Sequence, residues 1–306
     1  MSAGAGPPGG TGGTGGTGGL GGPGGPAAAP GAGRVPAGPE EPADGGGRGD
    51  RPAAGPPSGA PVRRLTWRRL LVTPVVLALV LLATYLWITG ITLDSIAENA
   101  LVGDTVRVRL WQHVKLTAIS TFWVLVIAVP LGVALTRRRL RPAAPVVTAI
   151  ANIGQATPAI GMLALLVVWL GIGPGTALVG MVVYAVLPVL SNTMAGLRAI
   201  DPTLIEASRG IGMSAAGTLS RIELPLAVPL ILAGVRTALV LNVGTATLAT
   251  FVGGGGLGDI ITTGIVTQRM PVLVLGSVLT VVLALLVDWL ASLAEQLLRP
   301  HGLETG

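Results

Sequence analysis

The chain contains no cysteine, which excludes disulfides and thiolate metal sites without fixing a compartment. Lysine is almost missing too. The only one, Lys115, is followed by Leu116 and has no glycine at the spacing a P-loop requires. A P-loop uses that lysine to reach nucleotide phosphates, so the chain carries no such ATP-hydrolysing site. Its two histidines, His113 and His301, lie far apart without metal-ligand spacing and both read as surface residues. No Gly-x-Ser-x-Gly elbow or paired carboxylate set stands out, so hydrolytic chemistry has no candidate. Charge is scarce: 11% of residues, against roughly a quarter in a soluble globular domain. That shortfall places the chain outside the soluble class.

What is present is apolar sequence in long runs, 50% of residues overall. Residues 1–62 are low-complexity Gly, Pro, Ala, Ser and Thr, opening in GGT repeats, and read as a disordered tail because little there can be buried. Arg63, Arg64, Arg68 and Arg69 precede a first run, Leu70–Gly90, long enough for one bilayer core. It reads as an anchor, since it lies far from the N-terminus and no small-x-small cleavage site follows it. Tyr85 and Trp87 suit an interfacial belt. A polar connection leads to a second span, Val114–Thr136, ending in Arg137, Arg138, Arg139 and Arg141. The third, Ala143–Gly171, is too long for one straight crossing, and Pro158 is expected to break it. Thr176–Leu197, Leu226–Val252 and Pro271–Leu293 complete six. The arginines fall before span one and after spans two, four and six, so all four clusters lie on one side. The positive-inside rule makes that side the cytoplasm and puts both termini there. Arginine concentrated beside spans argues for topology and against a nucleic-acid partner.

One polar insertion interrupts the second half: Asp201–Pro225, DPTLIEASRGIGMSAAGTLSRIELP. Asp201 is placed to N-cap a first helix with Pro202 at its first position; Gly210 and Gly212 mark its stop. Ser214 offers a second N-cap, and Pro225 is expected to close the segment by removing hydrogen bonds from the next helix. Glu206-Ala207-Ser208, three residues, Gly212, nine residues, Ile222, one residue, Leu224-Pro225 resembles the EAA signature of ABC-importer permeases, with Ser208 the only departure. That resemblance implies coupling helices docking in a groove on a cytoplasmic ATPase subunit. Glu206, Ala207 and Gly212 would be the docking positions, and Ser208, Ile222, Leu224 and Pro225 the rest of the coupling motif.

IANIGQATPAIGMLALL (150–166), YAVLPVLSNT (184–193) and GVRTALVLNVGTATLATFVGGGGLGDII (234–261) narrow the resemblance to permeases for glycine betaine, carnitine or choline, with a weak addition from Gln112-His113. It covers roughly residues 110–270. The implied architecture is an all-α, polytopic type I importer permease of about six spans. Its layout would be an anchor and outer loop over 63–109, a permease domain over 110–299 and a short tail, 300–306. The implied partners are two copies of an ATP-binding subunit, a second permease that is identical or a sister chain, and an extracytoplasmic solute-binding protein. ATP would be used by the ATPase partner, and no cofactor or metal is expected on this chain.

Polar residues inside spans need a reason. Asn152, Gln155, Asn242, Thr245 and Thr247 are candidates either for a solute path and its gate or for hydrogen bonds between helices. Arg236 reads as structural, because it would repel a cationic solute. Asp288 is expected to reach the interface near the end of span six. Gly234, Gly244 and Ala246 suit close helix packing, and Gly253–Gly258 suits tight turns at the outer end of span five. Phe122, Trp123, Trp169, Tyr184 and Phe251 are too scattered to form the aromatic cage that quaternary ammonium groups favour, so high-affinity capture falls to the binding protein. An importer permease for an amino acid or sulfonate remains open. So does an ATP-independent secondary transporter, although no inverted repeat marks one.

Overall fold

The computed structural model describes residues 67–101 and 103–298. The expected tails, 1–62 and 300–306, and the arginines at 63, 64 and 299 lie outside them. All regular structure among the described residues is helical.

The spans follow the apolar runs. They are α1 (Trp67–Thr89), α3 (Gly103–Thr136), the pair α4 (Ala144–Ala156) and α5 (Ala159–Leu170), α6 (Pro174–Arg198), α9 (Leu224–Leu248) and α11 (Met270–Leu297). Five are long and apolar enough to cross a membrane singly; α4 and α5 make a sixth if taken together. They bend by 101° where Pro158 was expected to break the run. The cause is local. Thr157, preceding proline, is pushed to extended backbone at φ −69°, ψ 134°, and Pro158 follows at ψ 123°. The second span begins earlier than its apolar core suggested. A short helix α2 (Ser95–Leu101) is N-capped by Asp94, and α3 then starts at Gly103, so the polar connection is largely helical and residue 110 falls inside α3.

Helix α6 is the centre, packed against α3, α4, α5 and α9. Val124 and Ala128 of α3, Ala185, Val189 and Leu190 of α6 and Ala238 of α9 are buried together. Lipid is as apolar as leucine, so close approach, not water exclusion, holds such helices. At Gly234 a Cβ would stand 2.8 Å from the Pro188 carbonyl oxygen, which is how near α9 comes to α6. Ala246 is fully buried as well. Gly244 has nothing within 4 Å and takes no part in that packing. Helix α11 packs on α9, on α10 (Leu257–Val266) and on α1.

Long-range polar bonds tie the helices at their two ends. At one, Arg109 of α3 meets Asp259 of α10 at 2.6 Å, and Arg269 meets Asp94 at 2.6 Å. There the Gly173 amide also donates to the Val252 carbonyl at 2.8 Å. At the other, Arg137 at the end of α3 pairs with Glu223 at the start of α9. Between the ends, Arg236 grips Asp288 with two bonds of 2.6 and 2.7 Å, linking α9 to α11. Asp288, half-buried, is thus committed to an ion pair between two helices.

Candidate functional site

The polar insertion folds as two capped helices. Asp201 caps α7 (Pro202–Gly210) by accepting from the Thr203 amide at 2.9 Å. The Thr203 amide, and then its hydroxyl, hold the Asp201 carboxyl below the usual carboxylate range. The helix stops in a Schellman turn. The Met213 amide reaches the Ser208 carbonyl at 3.1 Å and the Gly212 amide reaches Arg209 at 3.0 Å, with Gly212 at φ +87°. Only glycine holds that conformation without strain. Ser214 then caps α8 (Ala215–Thr218), accepting from the Gly217 amide at 3.1 Å.

Pro225 does not close this segment. The chain runs on from α8 through a π turn, Leu219–Glu223, into α9 as one 38-residue span, Ala215–Val252. In that turn the Leu224 amide reaches back five residues to Leu219. A wider turn of this kind loosens the backbone ahead of Pro225, whose ring would otherwise press on the carbonyl four residues earlier. The proline is accommodated, and the insertion stays covalently stiff with α9.

The motif residues divide by exposure. Glu206, Ala207 and Gly212 face outward, and beside them Ile211 is 81% exposed and Leu204 49%. Ser208, the one departure from the EAA pattern, is buried. Its hydroxyl donates to the Ile205 carbonyl at 2.7 Å and lies 3.1 Å from the Thr218 hydroxyl, pinning α7 to α8. Ile222 and Leu224 are half-buried at the junction, while Pro225 is exposed. The result is a surface of small residues, one carboxylate and two apolar side chains on a rigid two-helix frame.

What sequence reasoning missed is the frame's anchor. Glu223 is the unassigned position within Ile-x-Leu-Pro, and it is 4% exposed. Arg137, read as a topology marker, holds it through both carboxylate oxygens. An acid two residues before a proline at the mouth of an apolar run was the only signal available.

The five polar candidates within spans do not converge. Asn242 is fully buried, and its amide donates to the Thr121 hydroxyl at 2.9 Å, bridging α9 to α3. The Thr245 hydroxyl returns to its own helix at Leu241, 2.9 Å, and Thr247 to Gly244, 2.7 Å. Asn152 is exposed on α4 and lines a cavity of about 520 Å³ with Arg141, Thr148 and Arg198; Gln155 is half-buried a turn further on. Of the aromatics expected not to form a cage, Phe122 is 59% exposed, Phe251 55% and Trp169 80%, Trp123 is exposed too, and Tyr184 is half-buried.

At the opposite end the glycine-rich stretch folds onto α3. His113 is fully buried there, not a surface residue. Its Nδ1 accepts from the Leu257 amide at 3.3 Å, which leaves the proton on Nε2 to donate to the Val243 carbonyl at 3.0 Å. Gln112 accepts from the Gly256 amide at 3.3 Å and from Arg109 at 3.1 Å. Gly253, Gly255 and Gly256 all have positive φ. Tight turns were expected here. The histidine and glutamine that receive them were not.

An all-helical bundle with five or six apolar spans, one of them broken, and a single stiff polar frame at one end is the architecture of a type I importer permease. The chain belongs to the family of binding-protein-dependent transport system inner membrane components, whose family model matches residues 128–300. It is 38% identical to the choline transport system permease protein OpuBB of Bacillus subtilis over 66% of this chain and 92% of that protein. It is 37% identical to the osmoprotectant import permease protein OsmY of Salmonella typhimurium over 78% of this chain and 98% of that one. Among solved structures, the inward-facing MetNI methionine ABC transporter matches with TM-score 0.56 at 27% identity, covering 64% of this chain and 96% of that chain.

Proposed function

We propose that this chain is the membrane-spanning permease subunit of an ATP-driven ABC importer for osmoprotectants such as glycine betaine, choline or carnitine. The observation that carries the reading is the frame over 201–223. It presents Glu206, Ala207 and Gly212 outward at the spacing of the EAA signature, on a segment continuous with a membrane span. The substrate class rests on the relatives, which are named for choline and for osmoprotectant import.

The parts imply a mechanism. A solute-binding protein delivers its cargo to the outer face. Two ATP-binding subunits close on ATP and displace the two-helix frames of a permease pair, and the pore switches its access from outside to inside. Catalysis of ATP hydrolysis belongs to those subunits, and this chain binds no cofactor. The frame and both termini lie in the cytoplasm, as the arginines after α3 and α6 favour. The chain sits in the plasma membrane, paired with a copy of itself or a sister chain.

The test is reconstitution with candidate ATP-binding and binding-protein partners. We expect ATP-dependent uptake of labelled choline or glycine betaine, competed by carnitine. Uptake competed only by an amino acid or a sulfonate would move the substrate class. Transport by the chain alone would overturn the ABC reading.

A further inference from the structure

Of the four arginines that follow α3, Arg137 alone is ion-paired among the described residues. Positive-inside topology is served equally well by Arg138, Arg139 and Arg141, so it does not account for a two-bond grip on a carboxylate. That carboxylate is unusual in its own right. Glu223 is the one buried acid among the described residues, and a buried carboxylate persists only when it is paired and hydrogen-bonded.

Its position is informative. Glu223 is the last residue of the π turn, where the polar frame becomes α9. Such turns recur at functional sites. Upstream, the Ser208–Thr218 hydroxyl contact makes α7 and α8 move together. Downstream, the π turn carries the chain into α9, and Ile205 of α7 and Leu219 of the turn pack in one apolar cluster with Leu226 and Ala227 of α9, Leu197 of α6 and Val133 of α3. Apolar side chains in such a cluster can slide past one another, whereas the pair with Arg137 is the one charged tie, among the described residues, between this turn and the end of α3, which packs on both α6 and α9.

We infer that the Arg137–Glu223 pair is the joint that passes displacement of the two-helix frame to α3, so that α3 and α9 move as one body when a bound partner shifts the frame. This rests on the docking reading above and assigns the route taken beyond the dock. Arg137 and Glu223 are positioning residues: neither is on the presented surface. A static anchor would show itself differently, because weakening it would lower the amount of folded complex and uptake would fall only in proportion.

The test uses the full transporter in proteoliposomes, with Arg137→Lys, which keeps the charge but loses the fork, Glu223→Gln, and the reversed pair Arg137→Glu with Glu223→Arg. Each single change is expected to lower uptake per assembled complex roughly fivefold or more, the usual range for a lost coupling interaction. The reversed pair should recover most of it. Single variants that assemble normally and transport at the wild-type rate would overturn the joint, as would a reversed pair no better than the singles.

A second measurement leaves the pair intact. Because the chain has no cysteine, spin labels can be placed at Arg139→Cys and Ser220→Cys, both exposed positions flanking the pair. Their separation should stay constant between the nucleotide-free and ATP-bound transporter. A change in it overturns the joint alone. A wild-type chain that never assembles with an ATP-binding subunit overturns the docking reading and the joint with it.

Discussion

The two ends of this bundle are built on opposite plans. Where Gly253–Gly258 folds back on α3, backbone lies directly against backbone and side chain, and the histidine that meets it is fully buried: a Cβ on Gly256 would stand 3.1 Å from His113 Nδ1. At the other end the frame over 201–223 stands clear. A Cβ on Gly210 would meet nothing within 4 Å, and Glu206, Ala207, Ile211 and Gly212 are exposed. One end is fixed by the space its atoms fill. The other is fixed by caps, one ion pair and the packing of Ile205 and Leu219 beneath it, which leaves its outer surface free. A frame held by side chains can be displaced as a unit, whereas a backbone packed without room cannot shift without disturbing its neighbours. The contrast assigns stability to one end and, on the docking role proposed above, signalling to the other.

Gly258→Ala should break that contrast most severely. The added Cβ would lie 2.1 Å from the Thr247 carbonyl oxygen, a backbone atom that cannot rotate away. We expect a loss of roughly 3 kcal/mol, the upper end for overpacking, seen as loss of monodisperse protein in detergent. Gly210→Ala at the other end should leave both yield and melting unchanged. If the two substitutions behaved alike, the plans would not differ.

His113→Leu comes next. It removes the acceptor for the Leu257 amide and the donor to Val243 while keeping the site filled. Two buried backbone groups lose their partners, and we expect a cost of roughly 2 kcal/mol, measured as a lower melting temperature. Uptake per folded transporter should change little, because the residue holds the turn rather than the frame.

At the frame the order of effects inverts. Glu206→Arg reverses a charge on the presented surface and touches no buried group, so melting should stay within about 0.5 kcal/mol of wild type, as for most surface changes. Uptake should nevertheless fall, together with co-purification of the ATP-binding subunit. Gly212→Leu should do the same with a small added cost for its left-handed backbone. Unchanged uptake in both variants would sharpen the comparison in the wrong direction, leaving the frame a passive loop.

Much of this was legible from composition and spacing. Apolar run length marked the spans, Pro158 the break in one of them, and Asp201, Gly212 and Ser214 the caps of the frame, because each signal acts within a few residues of itself. What stayed hidden joins positions far apart in the chain. Arg137 finds Glu223, Arg236 finds Asp288, and His113 receives Leu257; no local pattern pairs such residues. Pro225 was misread for a related reason. Its usual effect as a helix breaker is offset by a π turn, and a π turn leaves no compositional trace. The five polar residues left open between a solute path and hydrogen bonds between helices hold different positions, with Asn242 donating across to Thr121 and Asn152 facing outward.

The smallest effect expected is at Asp201. Its side chain sits in solvent, yet it accepts from the Thr203 amide and hydroxyl and is held more acidic than an ordinary aspartate. A carboxyl whose folded value is depressed contributes its stabilisation fully above its unfolded value, about 3.9, and loses it as pH falls through the lower folded value. Asp201→Ala should therefore leave global melting unaltered and speed amide exchange only in the first turn of α7 at neutral pH. The difference from wild type should shrink as the solution is acidified through the carboxylate range. Asp201→Asn keeps an acceptor without the charge and should fall between the two at neutral pH while staying insensitive to acidification. If exchange rose across the whole frame instead, the cap would be holding both helices, and the Ser208–Thr218 contact could not be the link that makes them one unit.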